Sequence, residues 1–553
     1  MPDLLEGIGV SPGQVAGPVL AMGNPPVLPA VYPVTDVGEE VLHAERALTA
    51  VCEDLRARAA FATTATAADV LLAQAELAID PVLRDAIAAR IRRGQDAPHA
   101  SHDTFAEQRA MFTAAGGFLA ERAADLEDIA HRALAALLGS PMPGVPAPGH
   151  PFILVADDLS PADTATLDPT MVLAVVTERG GPTSHTAILA RALGLPAIVG
   201  CRGALTAPDR GLATIDGTTG HMRIGVTETE AAHVQAHAAA LRAGLSNDRG
   251  PGRTADGHAI DLMVNIGAAA DLSAVDLTDV AGVGLFRTEF LFLDRTEEPG
   301  LDEQTHAYAE VFAAFPHRTV VVRTLDAGAD KPLPFLGLPD EPNPALGLRG
   351  LRTSRLRPEI LHTQLRAIAR AAAGATADVW VMAPMVSTPA EAAGFVQQVH
   401  DHGLPTAGVM VEVPAAALRA RHLLRTADFL SIGTNDLAQY TMAADRQTGD
   451  LADLLDPWQP ALLHLLGACA VAAQDAGKSI SVCGEAAADP LLAPILVGLG
   501  ITRLSMSPRA LPAVRTALAR YTLAQCRRLA ERVLEADDPA HARTIAATDV
   551  HAL

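Results

Sequence analysis

From residue 256 onward the chain alternates, eight times, between a short apolar run and a helical or loop segment. The apolar runs lie at 259–266, 282–287, 319–324, 379–384, 408–413, 429–433, 479–483 and 503–506. Eight strands with crossovers over about 300 residues predict a (β/α)8 barrel. An open α/β sheet is the alternative. The strand ends run into Asn265, Arg287-Thr288-Glu289, Arg323-Thr324-Leu325-Asp326, Met385, Glu412, Asn435-Asp436, Cys483-Gly484-Glu485 and Ser505. In a barrel these ends converge on one mouth, where active sites form.

The 553 residues leave room for further domains upstream, at roughly 100–200 residues each. Residues 1–22 read as short strands and turns. From about Val37 to Leu138 the texture is Ala-rich with helix-period Leu and Ile, which predicts a small helical bundle. Four prolines and three glycines between Gly139 and Gly149 mark a boundary. Residues 151–225 return to an α/β texture, with strands at 152–156, 172–177 and 197–199 and a helix at 186–193. The expected organisation is an α/β domain of 1–22 and 145–225 with a helical subdomain, 23–144, inserted into it. A linker helix follows at 226–250, and the barrel spans 251–553.

Charge and composition restrict the function. Lys and Arg total 42 against 64 Asp and Glu, a net charge of −22. A chain this acidic is not expected to bind nucleic acid, which needs a basic face. Hydrophobic residues at 49% supply packed cores. No run of 18 apolar residues occurs, so no membrane insertion is expected. The first residues lack a basic and apolar leader. Five scattered cysteines without a C-x-x-C pair fit neither a disulfide framework nor a zinc site, so a reduced, cytoplasmic protein is the expectation. Only two lysines occur, Lys331 and Lys478.

The strand ends carry the chemistry. Glu412 and Asp436 end neighbouring strands and can share one Mg²⁺ ion, with substrate phosphate and water completing its shell. A helix cap for Asp436 and a salt bridge for Glu412 are the plainer alternatives. Arg287, Arg323 and Arg446 supply guanidinium forks for carboxylate and phosphate oxygens. In a chain that avoids lysine, Lys331 is a candidate phosphate ligand. Cys483 is either a small buried hydrophobe or, facing the mouth, an acid–base group.

The most specific motif is Gly180-Gly181-Pro182-Thr183-Ser184-His185-Thr186, between a strand and a helix. Paired glycines let the loop turn tightly, and N–H groups at a helix start favour an anion. A histidine placed there can carry a phosphoryl group, with neutral imidazole as nucleophile.

With these residues in view, the chain resembles enzyme I of the bacterial phosphotransferase sugar-uptake system, the phosphoenolpyruvate–protein phosphotransferase family. The resemblance runs over essentially the whole length. It rests on Gly7-Ile8-Gly9-Val10-Ser11-Pro12-Gly13, the His185 loop, Gly284-Leu285-Phe286-Arg287-Thr288-Glu289-Phe290, Arg323-Thr324-Leu325-Asp326, Asn343-Pro344-Ala345-Leu346-Gly347, residues 408–417 around Glu412, Gly433-Thr434-Asn435-Asp436-Leu437 and Cys483-Gly484-Glu485. It implies that His185 takes the phosphoryl group on Nε2. Arg287, Arg323, Arg446, Asn435 and Asp436 would bind phosphoenolpyruvate, and Glu412 and Asp436 would ligate Mg²⁺. Cys483 would protonate the enolate carbon as pyruvate forms, and Thr164 would support the histidine. The α/β domain would be a swivelling phosphohistidine domain. The helical subdomain would dock the carrier protein HPr, and the barrel would pair in a homodimer. Pro182 stands where Arg is frequent, Ala329 replaces a Gly, and Leu348 replaces an aromatic. None of these removes a catalytic group.

Overall fold

The computed structural model describes residues 3–550, except for 12, 23–25, 61–64, 116–122, 141–143, 147, 160–166, 182–183, 209, 248, 275, 294, 296, 329–332, 340 and 447–448. The chain divides into two compact units, residues 1–240 and 241–553.

The first unit is built on one eight-stranded sheet. Its strands are β1 (Asp3–Glu6), β2 (Ile8–Ser11), β3 (Gln14–Ala21), β4 (Phe152–Ala156), β5 (Val172–Thr177), β6 (Ala197–Val199), β7 (Leu212–Asp216) and β8 (His221–Ile224). Their order is β1-β8-β7-β3-β4-β5-β6-β2. β3 and β4 are parallel neighbours, with Val19 opposite Ile153, although some 130 residues separate them in sequence. The intervening chain is therefore an insertion. It forms α1 (Val37–Ala60), α2 (Ala65–Ala78), α3 (Pro81–Arg92), α4 (Ala97–Ala115) and α5 (Ala123–Leu138), packed around Leu48, Val51, Leu55, Ile91 and Ile129. Asp80 and Pro81 start α3. The Asp80 carboxylate accepts from the Val82 amide at 2.7 Å, and proline fills the first turn where no N–H partner is needed. Beyond β5 come α6 (His185–Leu193) and, after β8, α7 (Glu228–Asn247).

The second unit is a closed parallel barrel. Its strands are β9 (Ala259–Ile266), β10 (Gly282–Arg287), β11 (Thr319–Arg323), β12 (Asp378–Ala383), β13 (Thr406–Val411), β14 (Phe429–Ile432), β15 (Ser479–Val482) and β16 (Arg503–Met506). Each pairs in parallel with the next, and β9 pairs with both β10 and β16, which closes the ring. The open-sheet alternative is thereby excluded. The connections between the strands carry α8 (Leu301–Ala314), α9 (Pro358–Ala373), α10 (Pro389–Asp401) and α11 (Thr434–Met442). The strand period of two sorts the core. Ile260, Leu262, Val320, Val322, Val409, Val411, Ile480 and Val482 pack outward against the helices. Leu285, Val321, Met382, Met410, Phe429 and Cys483 fill the interior. Among the described residues, no helix is long and apolar enough to cross a membrane.

Candidate active site at the barrel mouth

Strand parity decides which side chains reach the mouth. Val321 faces inward, so Arg323 does too; Met410 leads to Glu412, and Ser481 to Cys483, by the same two-residue step.

Arg323 is buried. Its Nη2 donates to Glu289 Oε1 at 2.6 Å, and its Nη1 lies 3.2 Å from Asp326 Oδ2. Burial opposes its charge, but Glu289, Asp326 and Glu412 outweigh burial and hold its pKa above the usual arginine range. Its Nε is buried and has no hydrogen-bond partner among the described residues. Arg287, at the end of β10, is exposed and has no hydrogen bond or ion pair among the described residues. Its open surface gives a ligand access. The concave mouth still strips water from the guanidinium, and this desolvation with the Arg323 charge presses its pKa down.

Arg349 is almost fully enclosed. Its Nη1 donates to Asp436 Oδ1 at 2.9 Å and its Nη2 to Oδ2 at 3.1 Å. The same guanidinium reaches Asp326 through Nε (3.2 Å) and Nη2 (3.3 Å). Arg446 approaches Asp436 Oδ2 at 3.4 Å. Asp436 lies in the first turn of α11 behind Gly433, so it pairs with arginines and does not cap the helix.

Glu412 is buried and accepts a short hydrogen bond from the Met385 amide. Met385 presents that amide from a left-handed backbone, φ 58°, which is uncommon for an unbranched bulky residue. Burial, Asp326 and Asp436 push the Glu412 carboxyl up to about 8, against the pull of Arg323 and Arg349. Cys483 is buried beside it in the barrel interior. Its sulfur accepts from Ser431 Oγ at 3.2 Å and lies 3.5 Å from the Ile432 carbonyl. Burial raises its pKa, although the Ser431 hydroxyl and Arg323 pull the other way. At neutral pH the group is a thiol. Asn435 is exposed, and its Oδ1 accepts the Glu485 amide at 3.2 Å, tying the loop after β15 to the start of α11.

In the first unit, His185 is the first residue of α6; its side chain lies outside the described residues. Around it the described residues of the loop turn tightly. Gly180 takes φ 97°, the Ser184 amide donates to the Gly181 carbonyl at 2.9 Å, and Ser184 Oγ accepts the Ala187 amide at 3.3 Å. Thr186 Oγ1 lies 3.4 Å from Asp158 Oδ1.

Comparison with known proteins agrees with this architecture. Residues 6–122, 148–220 and 246–523 match the N-terminal, mobile and PEP-binding domains of the PEP-utilising enzymes. A phosphoenolpyruvate-protein phosphotransferase of Streptomyces coelicolor is 52% identical over 99% of both chains. The chain belongs to the phosphoenolpyruvate-protein phosphotransferase family. Members from Haloferax volcanii (43% identical over 85% of both chains) and Bacillus subtilis (35% identical over 96% of both) are also similar.

In this phosphotransferase the mouth gathers Arg323, Glu412, Asp436, Arg446 and Cys483, with Arg287 and Asn435 at its open rim. Lys331 and Thr164 lie outside the described residues. Sequence reasoning gave no role to Arg349, Glu289 or Asp326. Glu289 and Asp326 stood in quoted motifs and could have been found as the acids two residues after Arg287 and three after Arg323. Arg349 had no such signal. It sits in the long connection from β11 to α9, in a chain where arginine supplies nearly all the positive charge.

Proposed function

We propose that the mouth binds phosphoenolpyruvate with Mg²⁺, that the phosphoryl group passes to His185 and then to the histidine of HPr, and that pyruvate is released. This would be the first step of phosphotransferase sugar uptake. One observation carries the reading: among the described residues the Arg287 guanidinium has no ion pair and the Arg323 Nε no hydrogen-bond partner, and both share the mouth with a protonated, buried thiol. A small anion that needs a proton is the matching ligand. Thr434 Oγ1, at the start of α11, is also buried with no hydrogen-bond partner among the described residues and is a further donor for such an anion.

The residues present fit a magnesium ion. Glu412 and Asp436 follow the paired strands β13 and β14 and offer hard oxygen donors. Burial, with the charges of Asp326 and Asp436, pushes the Glu412 carboxyl toward its protonated form, and a divalent cation would relieve the carboxylate repulsion. Among the described residues no group of three or more His, Cys, Asp or Glu could hold a metal. A site with two carboxylates leaves the other positions to water and substrate oxygen, as magnesium prefers. When bound, the ion would neutralise phosphate charge.

This chain's residues would do the rest. Arg287, Arg323 and Arg446 hold the carboxylate and phosphate oxygens, and Asn435 fixes the start of α11 against the β15 loop. His185 Nε2 attacks phosphorus, and the bond to the enol oxygen breaks with its electron pair on that oxygen. The enolate then takes a proton on its terminal carbon from Cys483 Sγ, which gives pyruvate and a thiolate that solvent reprotonates. Positioning and charge neutralisation supply most of such catalysis. The division of the chain near residue 240 supports a swivelling α/β domain, with residues 226–250 and 139–150 as hinges. Lys331 as a phosphate ligand, Thr164 as support for His185, HPr docking on the inserted helices, homodimerisation through the barrel and a cytoplasmic location belong to the same reading, supported by kinship. Purified protein given phosphoenolpyruvate and Mg²⁺ should phosphorylate HPr and release pyruvate in equal amounts. Pyruvate release without phosphorylated HPr would sink the transfer step.

A further inference from the structure

Arg349 holds a carboxylate that the proposed function needs for metal. Both Asp436 oxygens are engaged by its fork, at 2.9 and 3.1 Å. A divalent cation at Asp436 has to compete with that fork. The guanidinium has a second anchor, because Asp326 accepts from its Nε and Nη2 at 3.2 and 3.3 Å. Arg349 can therefore release Asp436 without being stranded as a buried, unpaired charge, which would be costly.

The backbone around it is fixed, so the freedom lies in the side chain. Arg349 forms an antiparallel bridge with Gly328, and the Gly350 amide donates to the Ala327 carbonyl at 3.0 Å. The Leu351 amide donates to the Pro384 carbonyl at 3.3 Å. Gly350 itself takes φ 57°, and a Cβ there would stand 3.0 Å from the Cβ of Met385. Met385 in turn donates its amide to Glu412. One short segment, 349–351, thus holds Asp436 directly, through the Arg349 side chain, and lies against Met385, whose amide holds Glu412.

We propose that Arg349 couples metal binding to substrate binding. In the metal-free enzyme it serves as the internal counter-cation of Asp436. When Mg²⁺ takes Asp436, the fork turns, still anchored on Asp326, to the phosphate of the incoming substrate. Each ligand then removes an obstacle to the other. Metal displaces the arginine from the carboxylate, and the phosphate gives the displaced arginine a new anionic partner. The two must bind synergistically, and by linkage the factor is the same in either direction. This rests on the proposed metal and phosphoenolpyruvate site.

The test is a calorimetric cycle. Mg²⁺ is titrated into the full-length protein with and without 2-(phosphonomethyl)acrylate, in which a methylene replaces the bridging oxygen so that no transfer occurs. Wild type should bind Mg²⁺ more tightly with the analogue, by about tenfold or more. Arg349→Gln should bind Mg²⁺ alone more tightly than wild type, bind the analogue more weakly, and lose most of the coupling. Arg349→Lys keeps the charge in a folded site but not the fork, and should fall between. A purely structural role predicts instead that Arg349→Gln weakens Mg²⁺ equally with and without the analogue and leaves the coupling intact; that result overturns the proposal. A Glu412→Gln control separates the two readings. If wild-type Mg²⁺ binding does not depend on Glu412, the metal site and this proposal fall together. If it does depend on Glu412 but neither Arg349 variant changes the coupling, only this proposal falls.

Discussion

Ser431 donates its hydroxyl to the sulfur of Cys483 across 3.2 Å, and both residues are buried inside the barrel. The contact favours the thiolate, yet burial is the larger effect and the thiol stays protonated at neutral pH. An acid is useful only while it holds its proton. Turnover should therefore persist through neutral pH and fall only above the ordinary thiol range. Ser431→Ala removes a group that lowers the pKa, so its alkaline limb should move to higher pH. A limb that moves to lower pH, or that lies near neutrality in the wild type, would contradict this.

Removing the acid itself should cost about 10²–10⁴-fold in pyruvate release, the usual range for a positioned proton donor. Cys483→Ala should still fold, because the side chain is small and sits among Leu285, Met382, Met410 and Phe429. Normal steady-state pyruvate release by a folded Cys483→Ala protein refutes the role.

Arg287 and Arg323 should separate function from stability. Arg287 has no ion pair among the described residues, so Arg287→Met should raise the KM for phosphoenolpyruvate and leave the melting temperature unchanged. Arg323→Met leaves Glu289 buried without its arginine and takes one of the two arginines that pair with Asp326. It should destabilise the barrel by about 3–5 kcal/mol as well as abolish activity. Denaturant unfolding of the two variants checks the contrast, and equal stabilities would contradict it.

Gly484 has an ordinary backbone, φ −81°, but a Cβ there would stand 1.9 Å from Thr434 Oγ1 and 2.8 Å from its amide nitrogen. Gly484→Ala must push the loop after β15 away from α11, at about 1–3 kcal/mol. Because Asn435 holds the same loop, phosphoenolpyruvate binding should weaken with it. Unchanged stability and KM would show that the loop yields freely.

The barrel was legible because its strands repeat one rule. A buried parallel strand is a short apolar run, and the predicted spans match the observed ones to within two residues at either end. The same rule places Arg323, Glu412 and Cys483 inside, since each sits two residues beyond an interior side chain. The insertion was legible from a change of texture and a Pro/Gly boundary. The β7–β8 hairpin was not read. Its strands are four and five residues long, and Asp216-Gly217-Thr218-Thr219-Gly220 looks like any polar turn. Arg349 was invisible for a different reason. Its importance comes from contacts with Asp326 and Asp436, 23 and 87 residues away, which no local pattern encodes.

In the proposed reaction His185 carries the phosphoryl group. Purified protein incubated with ³²P-labelled phosphoenolpyruvate and Mg²⁺ should acquire about one acid-labile, alkali-stable phosphoryl group per chain, mapped to the peptide containing His185, and His185→Ala should acquire none. Stable labelling of His185→Ala, or label mapped to another residue in the wild type, would contradict the account.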